Sequence, residues 1–123
     1  MTIPSWPDNT ILIVEDDEIS LEFLTELLLP SEVKIVTATD GQKAIDICLT
    51  NDHIDLVLMD IRLPLVNGRE AMLQIKKFKP QLPVIAQTAF AMSGDREKYI
   101  DSGFDDYISK PIIMDEIIEK ISI

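Results

Sequence analysis

Residues 54–60 read Ile-Asp-Leu-Val-Leu-Met-Asp, a short apolar run closed by the carboxylate of Asp60. Related runs lie at 10–14, 33–37, 84–87 and 104–108. Short continuous apolar runs suit strands buried on both faces, which is the situation of parallel sheets covered by helices. The intervening segments carry a helical period instead. Asp17 can cap a first helix in which Leu21, Leu24, Leu27 and Leu28 recur, ended by Pro30. Asp40-Gly41 opens a second, with Ala44, Ile45, Ile47 and Cys48 inward. A third spans 68–78, and Pro80 and Pro83 bracket the turn that follows. Ser93 caps a fourth, with Asp95 and Glu97 in the first turn, where the helix dipole favours acids, and Gly103 ends it. Ile113, Ile117, Ile118 and Ile121 mark the inner face of a fifth. Five strands alternating with five helices predict an α/β fold of repeated βαβ units, its sheet mostly parallel and covered on both faces.

With 123 residues, 46% of them hydrophobic and 27% charged, the chain is expected to form one globular domain. The formal charge of -11 repels phosphate backbones and argues against direct nucleic-acid binding. No apolar run approaches the roughly 18 residues that cross a bilayer, and no basic-then-apolar signal opens the chain. The lone Cys48 cannot form an internal disulfide, which suits a reducing cytoplasm, and its helical setting reads as a packed core thiol. Residues 1–9, punctuated by Pro4 and Pro7, read as a leader or linker outside the core, with the domain proper at 10–123. The fifth helix runs to the last residue, so no output module is expected within this sequence.

The strand ends carry the chemistry. The first strand ends in Glu15-Asp16-Asp17-Glu18, the third in Asp60, the fourth in Thr88 followed by Ala89, and the fifth in Lys110 followed by Pro111. Asp17 and Glu18 are accounted for as cap and dipole partners of the first helix. The others converge on the edge where open α/β sheets hold their ligands. Glu15, Asp16 and Asp60 gathered together would repel one another unless a cation sat among them. Mg²⁺ fits, being a hard ion held by a few carboxylates together with phosphate oxygens. Asp60 could then attack phosphorus to form an acyl phosphate, with Lys110 pairing a phosphoryl oxygen and the Thr88 hydroxyl bonding another.

The segments 11–18, 56–64, 87–89 and 106–111 together resemble the receiver domain of two-component response regulators, over essentially residue 10 to the C-terminus. The resemblance implies a CheY-like, flavodoxin-type three-layer sandwich with strand order 2-1-3-4-5. Asp60 becomes the phosphoacceptor, served by a histidine kinase or histidine phosphotransfer domain, in a protein whose catalysis is limited to its own Mg²⁺-dependent phosphorylation and dephosphorylation. Asp16 becomes the direct metal ligand, with Glu15 acting nearby through water and the main-chain carbonyl of Arg62 as a further ligand; Mn²⁺ could substitute. Thr88 and Ala89 would bind the phosphoryl group, and Lys110-Pro111 resembles the family's cis peptide. Tyr107 would turn inward as Thr88 moves, changing the affinity of the helix 4–strand 5–helix 5 face for a downstream protein.

Several positions are read individually. Arg62 and Phe90, two residues beyond Asp60 and Thr88, are expected to obstruct attacking water and lengthen the phosphoryl lifetime. Gly68 is read as a turn residue needing positive φ, and His53 as a loop histidine rather than a phosphodonor. A flavodoxin shares the architecture, but its phosphate loop is rich in hydroxyls and glycines, whereas here that loop is acidic. Phosphatases of the haloacid dehalogenase type carry an Asp-x-Asp near the first strand, which is absent. A receiver-like module that binds partners without being phosphorylated is the remaining alternative. The chain could be a stand-alone regulator or the receiver of a hybrid sensor histidine kinase, cytoplasmic in either case. The stretch 87–95 resembles the corresponding stretch of hybrid-kinase receivers and the Pro/Trp-containing leader resembles an interdomain linker, which makes a hybrid kinase the preferred origin.

Overall fold

The computed structural model describes residues 4–63, 65–88, 95–110 and 112–121. Its elements, in chain order, are β1 (Thr10–Val14), α1 (Glu18–Leu28), β2 (Lys34–Ala38), α2 (Gly41–Thr50), β3 (Leu56–Asp60), α3 (Gly68–Phe78), β4 (Val84–Thr88), α4 (Asp95–Ser102), β5 (Asp106–Ser109) and α5 (Met114–Ile121). All strand pairs are parallel and the order is β2-β1-β3-β4-β5, as the resemblance implied. The order reverses between β1 and β3, which opens a crevice beyond their C-terminal ends.

Strand alternation builds two cores. Leu12, Val14, Val57, Met59, Val84 and Ala86 face α2, α3 and α4 through Ala44, Cys48, Ala71, Met72, Ile75 and the partly buried Tyr99. Ile11, Ile13, Leu56, Leu58, Ile85 and Ile108 face α1 and α5 through Leu24, Leu28, Ile117, Ile118 and Ile121. Both faces of β1, β3 and β4 are therefore buried, which is why those strands read as uninterrupted apolar runs. Cys48 is fully buried, as expected, and burial pushes its thiol pKa up to about 11.

Local signals explain the boundaries. Asp17 accepts from the Ile19 amide and starts α1; Asp40 does the same for α2 through Lys43. After α1 a 3-10 turn, Leu29–Ser31, holds Pro30. Gly103 ends α4 at φ 122, a conformation that glycine adopts without strain.

Some expectations shift. β2, β3 and β5 begin one or two residues later than the apolar runs do. Asp55 precedes β3, and its carboxylate and amide tie to the main chain of Thr10. Ile113 is not on the inner face of α5: it lies ahead of the helix, 61% exposed, with its carbonyl accepting from the Ile117 amide. Nor do residues 1–9 lie wholly outside the core. Trp6 is buried among Leu28, Val33 and the α1/α5 core, its amide donating to the Ser31 carbonyl at 2.6 Å. Ser93, expected as a cap, lies outside the described residues. Among the described residues, no helix is long and apolar enough to cross a membrane.

Candidate functional site

Parallel register brings the strand ends level. Val14 stands beside Met59, Asp60 beside Gln87, and Thr88 beside Ser109. The ladder continues one residue past three of the strands: the Glu15 amide donates to Ala38, that of Ile61 to Gln87, and that of Lys110 to Thr88, at 3.0, 3.1 and 2.8 Å. The main chain at these strand ends is thus held by the sheet, which fixes the positions from which the site's groups reach the crevice. Residues that preorganise a reacting group are most effective on such rigid elements.

The side chains converge as the strand ends predicted. Glu15, Asp16 and Asp60 each offer a carboxylate oxygen, all within 4.8 Å of one another. Glu15 and Asp60 are buried and Asp16 is exposed, so the cluster opens to solvent on the Asp16 side. A cleft of about 370 Å³ is lined by these three with Asp17, Ser20, Arg62, Thr88 and Lys110. The Lys110 ammonium bonds both Glu15 oxygens, at 3.2 and 3.0 Å, and Asp60 Oδ2 at 3.3 Å. The other Asp60 oxygen accepts from the Arg62 amide at 3.1 Å. Burial, and then the neighbouring Asp60, push the Glu15 pKa up to about 7, against the opposing pull of Lys110. Burial lowers the Lys110 pKa, but the Glu15 bond and the Asp60 charge outweigh it and hold the ammonium above its usual value. Three clustered carboxylates, of which one ammonium bonds Glu15 and Asp60, form a donor set that an oxygen-seeking divalent cation fits.

Thr88 is buried at the end of β4 and lines the same cleft. Tyr107 projects from β5 to the α4 side and stacks on Tyr99, ring centroids 5.5 Å apart and 17° from parallel. His53 is exposed in the loop before β3. The expectations for Ala89, Phe90 and the Lys110-Pro111 peptide concern residues 89, 90 and 111, outside the described residues. Gly68 needs correction, since it does not have positive φ; the left-handed residue of that loop is Leu65, at φ 65. Gly68 is required for closeness instead. A Cβ there would collide with the Asp60 carbonyl and lie 2.9 Å from Ile61 Cα. The smallest residue therefore lets α3 start directly against the strand end that carries Asp60.

Two neighbours of the site carried no expectation. Ser20 lines the cleft and donates to Asp17 at 2.8 Å. Gln87 is fully buried, and neither of its amide atoms has a hydrogen-bond partner among the described residues. The signal for Gln87 was visible, an amide within an otherwise apolar strand.

Comparisons with known proteins agree with this architecture. Residues 11–122 match the family model of the response regulator receiver domain. The polar-differentiation response regulator DivK of Brucella ovis is 40% identical over 115 residues, covering 92% of this chain and 93% of DivK. Hybrid signal transduction histidine kinase I of Dictyostelium discoideum is 36% identical over 110 residues, which are 83% of this chain and 6% of that kinase. Among solved structures, the receiver domain of a Pseudomonas aeruginosa sensor histidine kinase, with magnesium coordinated in its active-site cleft, superposes with a TM-score of 0.81 at 31% identity, over 92% of this chain and 93% of that one. A Saccharomyces cerevisiae receiver domain, solved with the histidine phosphotransfer protein upstream of it, has a TM-score of 0.84 at 29% identity, over 99% of this chain and 90% of that one. With the family model spanning nearly the whole sequence and the acidic cluster assembled at the sheet edge, the chain belongs to the response regulator receiver domains of two-component signalling.

Proposed function

We propose that this receiver stores a phosphoryl group on Asp60, taken from the phosphohistidine of a histidine kinase or phosphotransfer protein. The observation that carries the reading is the convergence of Glu15, Asp16 and Asp60 within 4.8 Å beside the Lys110 ammonium. An Asp60 carboxylate oxygen attacks phosphorus, the phosphorus–nitrogen bond to the donor imidazole breaks, and the nitrogen keeps the electron pair. Glu15, Asp16, Asp60 and the Arg62 carbonyl would hold Mg²⁺, or Mn²⁺ in its place. When bound, the cation offsets the negative charge shared by carboxylates and phosphoryl oxygens. Lys110 pairs one phosphoryl oxygen and the Thr88 hydroxyl bonds another, with Ala89 next to it in sequence as a further phosphoryl-binding residue. The Arg62 side chain, at the cleft wall, slows the entry of hydrolytic water, in concert with Phe90.

A donor must reach Asp60 through the mouth of this cleft. An apolar hollow of about 340 Å³ lined by Ile19, Ser20, Phe23, Leu24, Lys110 and Ile112 adjoins it, sharing Ser20 and Lys110. Ile19 and Phe23 are 78% and 49% exposed, apolar surface that supports docking of the donor protein there. The Tyr99–Tyr107 stack supports a switch on the α4–β5–α5 face, where rearrangement of Tyr107 would alter affinity for a downstream protein. The same chemistry serves a stand-alone regulator or one segment of a hybrid kinase, and relatives of both kinds are known.

Incubation with Mg²⁺ and acetyl phosphate tests the reading. One phosphoryl mass is expected in the intact protein, and none with chelator. Phe23→Asp should slow transfer from a phosphohistidine protein by about tenfold while leaving transfer from acetyl phosphate unchanged. No mass gain with Mg²⁺ present would overturn the phosphoacceptor reading, and equal slowing from both donors would overturn the docking surface.

A further inference from the structure

Among the described residues, Gln87 stands out as a fully buried side chain whose amide nitrogen and oxygen both lack a partner. Buried amides in folded proteins are nearly always paired, because each orphaned group has given up its hydrogen bonds to water. Its place in the sheet indicates what it could pair with. Alternation sends Gln87 to the face of Ile85 and Ile108, the α1/α5 side. It stands in register with Asp60 on one side and Ile108 on the other. Lys110, two residues beyond Ile108, rises from the same face. Neighbouring strands lie about 4.8 Å apart, so a glutamine side chain spans the interval to either residue.

Lys110 has three protons to donate, and Glu15 and Asp60 accept them. Those two carboxylates belong to the cluster that suits a divalent cation. As they turn to the cation, a half-buried ammonium loses two of its acceptors. We propose that Gln87 is a positioning residue for Lys110, its amide oxygen accepting the hydrogen bond that the ammonium gives up when a divalent cation draws Glu15 and Asp60 away. The amide is unpaired before loading and paired after it, so the exchange favours loading and keeps Lys110 at the cleft for a phosphoryl oxygen. The inference rests on the metal-and-phosphoryl reading above.

The test is a Mg²⁺ titration of the full ¹⁵N-labelled chain followed by NMR. The Gln87 side-chain NH₂ resonances should move with the same midpoint as the Asp16 and Asp60 backbone amides. In Lys110→Met they should stay still while the Asp16 amide moves. Gln87→Met should raise the metal-free melting temperature, gain less from Mg²⁺ than the parent does, and lower the maximal rate of phosphorylation by acetyl phosphate about tenfold at an unchanged half-saturating concentration. A still Gln87 NH₂ beside a moving Asp16 amide overturns the proposal. So does a melting temperature raised equally with and without Mg²⁺, which is a packing effect. If the Asp16 and Asp60 amides ignore Mg²⁺, the metal reading itself fails.

Discussion

Glu15 is 1% exposed, and its carboxyl is pushed up to about 7, first by burial and then by Asp60. A carboxyl raised on folding stabilises the metal-free protein fully below its unfolded pKa, and that contribution is lost as pH rises through about 7. The metal-free protein should therefore melt at lower temperature as pH is raised from about 5 to about 8, more steeply than Glu15→Gln. Mg²⁺ needs the ionised form, so its affinity should weaken by up to about tenfold per pH unit below 7 in the parent and less in Glu15→Gln. Calorimetric titrations across that range check both, and parallel profiles for parent and variant would contradict them. Glu15, Asp16, Asp60 and Lys110 were legible in the sequence because each polar residue closes an apolar run, and strand ends in such a sheet share one edge. The unpaired state of Gln87 and the upward shift of Glu15 were not, because both depend on neighbours in other strands.

At the level of elements, α1, α2 and α3 were legible from caps and apolar periodicity, with α3 running over Gly68–Phe78 as expected. Strand starts were less so. A strand begins where a neighbouring strand offers partners, and hydropathy cannot register that; hence Phe104 sits in the core ahead of β5. Gly68 shows the same limit. The sequence Asn67-Gly68 suggests a turn of positive φ, yet the glycine is needed because α3 starts against the Asp60 carbonyl. Gly68→Ala should cost about 1–3 kcal/mol of unfolding free energy and also slow phosphorylation, by displacing the strand end that carries Asp60. Denaturant melts and a phosphorylation time course check this; a stability and rate equal to the parent's would show that the contact yields without moving the site.

In the whole molecule, two apolar cores on opposite sides of one sheet leave the crevice at the β1/β3 reversal as the place where polar groups gather. The layer order was legible because all five strands and five helices announce themselves. The inclusion of Trp6 was not, since a tryptophan between two prolines has no periodicity to place it. Trp6→Ala should lower stability by roughly 3 kcal/mol while leaving phosphorylation of the folded protein unchanged. Urea unfolding with a parallel phosphorylation assay checks that, and a loss within experimental error would contradict the burial. The proposed site, assembled from the strand ends, makes Asp60 the phosphoacceptor. Borohydride trapping of the protein phosphorylated with Mg²⁺, followed by peptide mass mapping, tests it most directly. The reduced product is expected at residue 60 alone, with no label in Asp60→Asn; a label on any other residue, or label retained in that variant, would contradict the account.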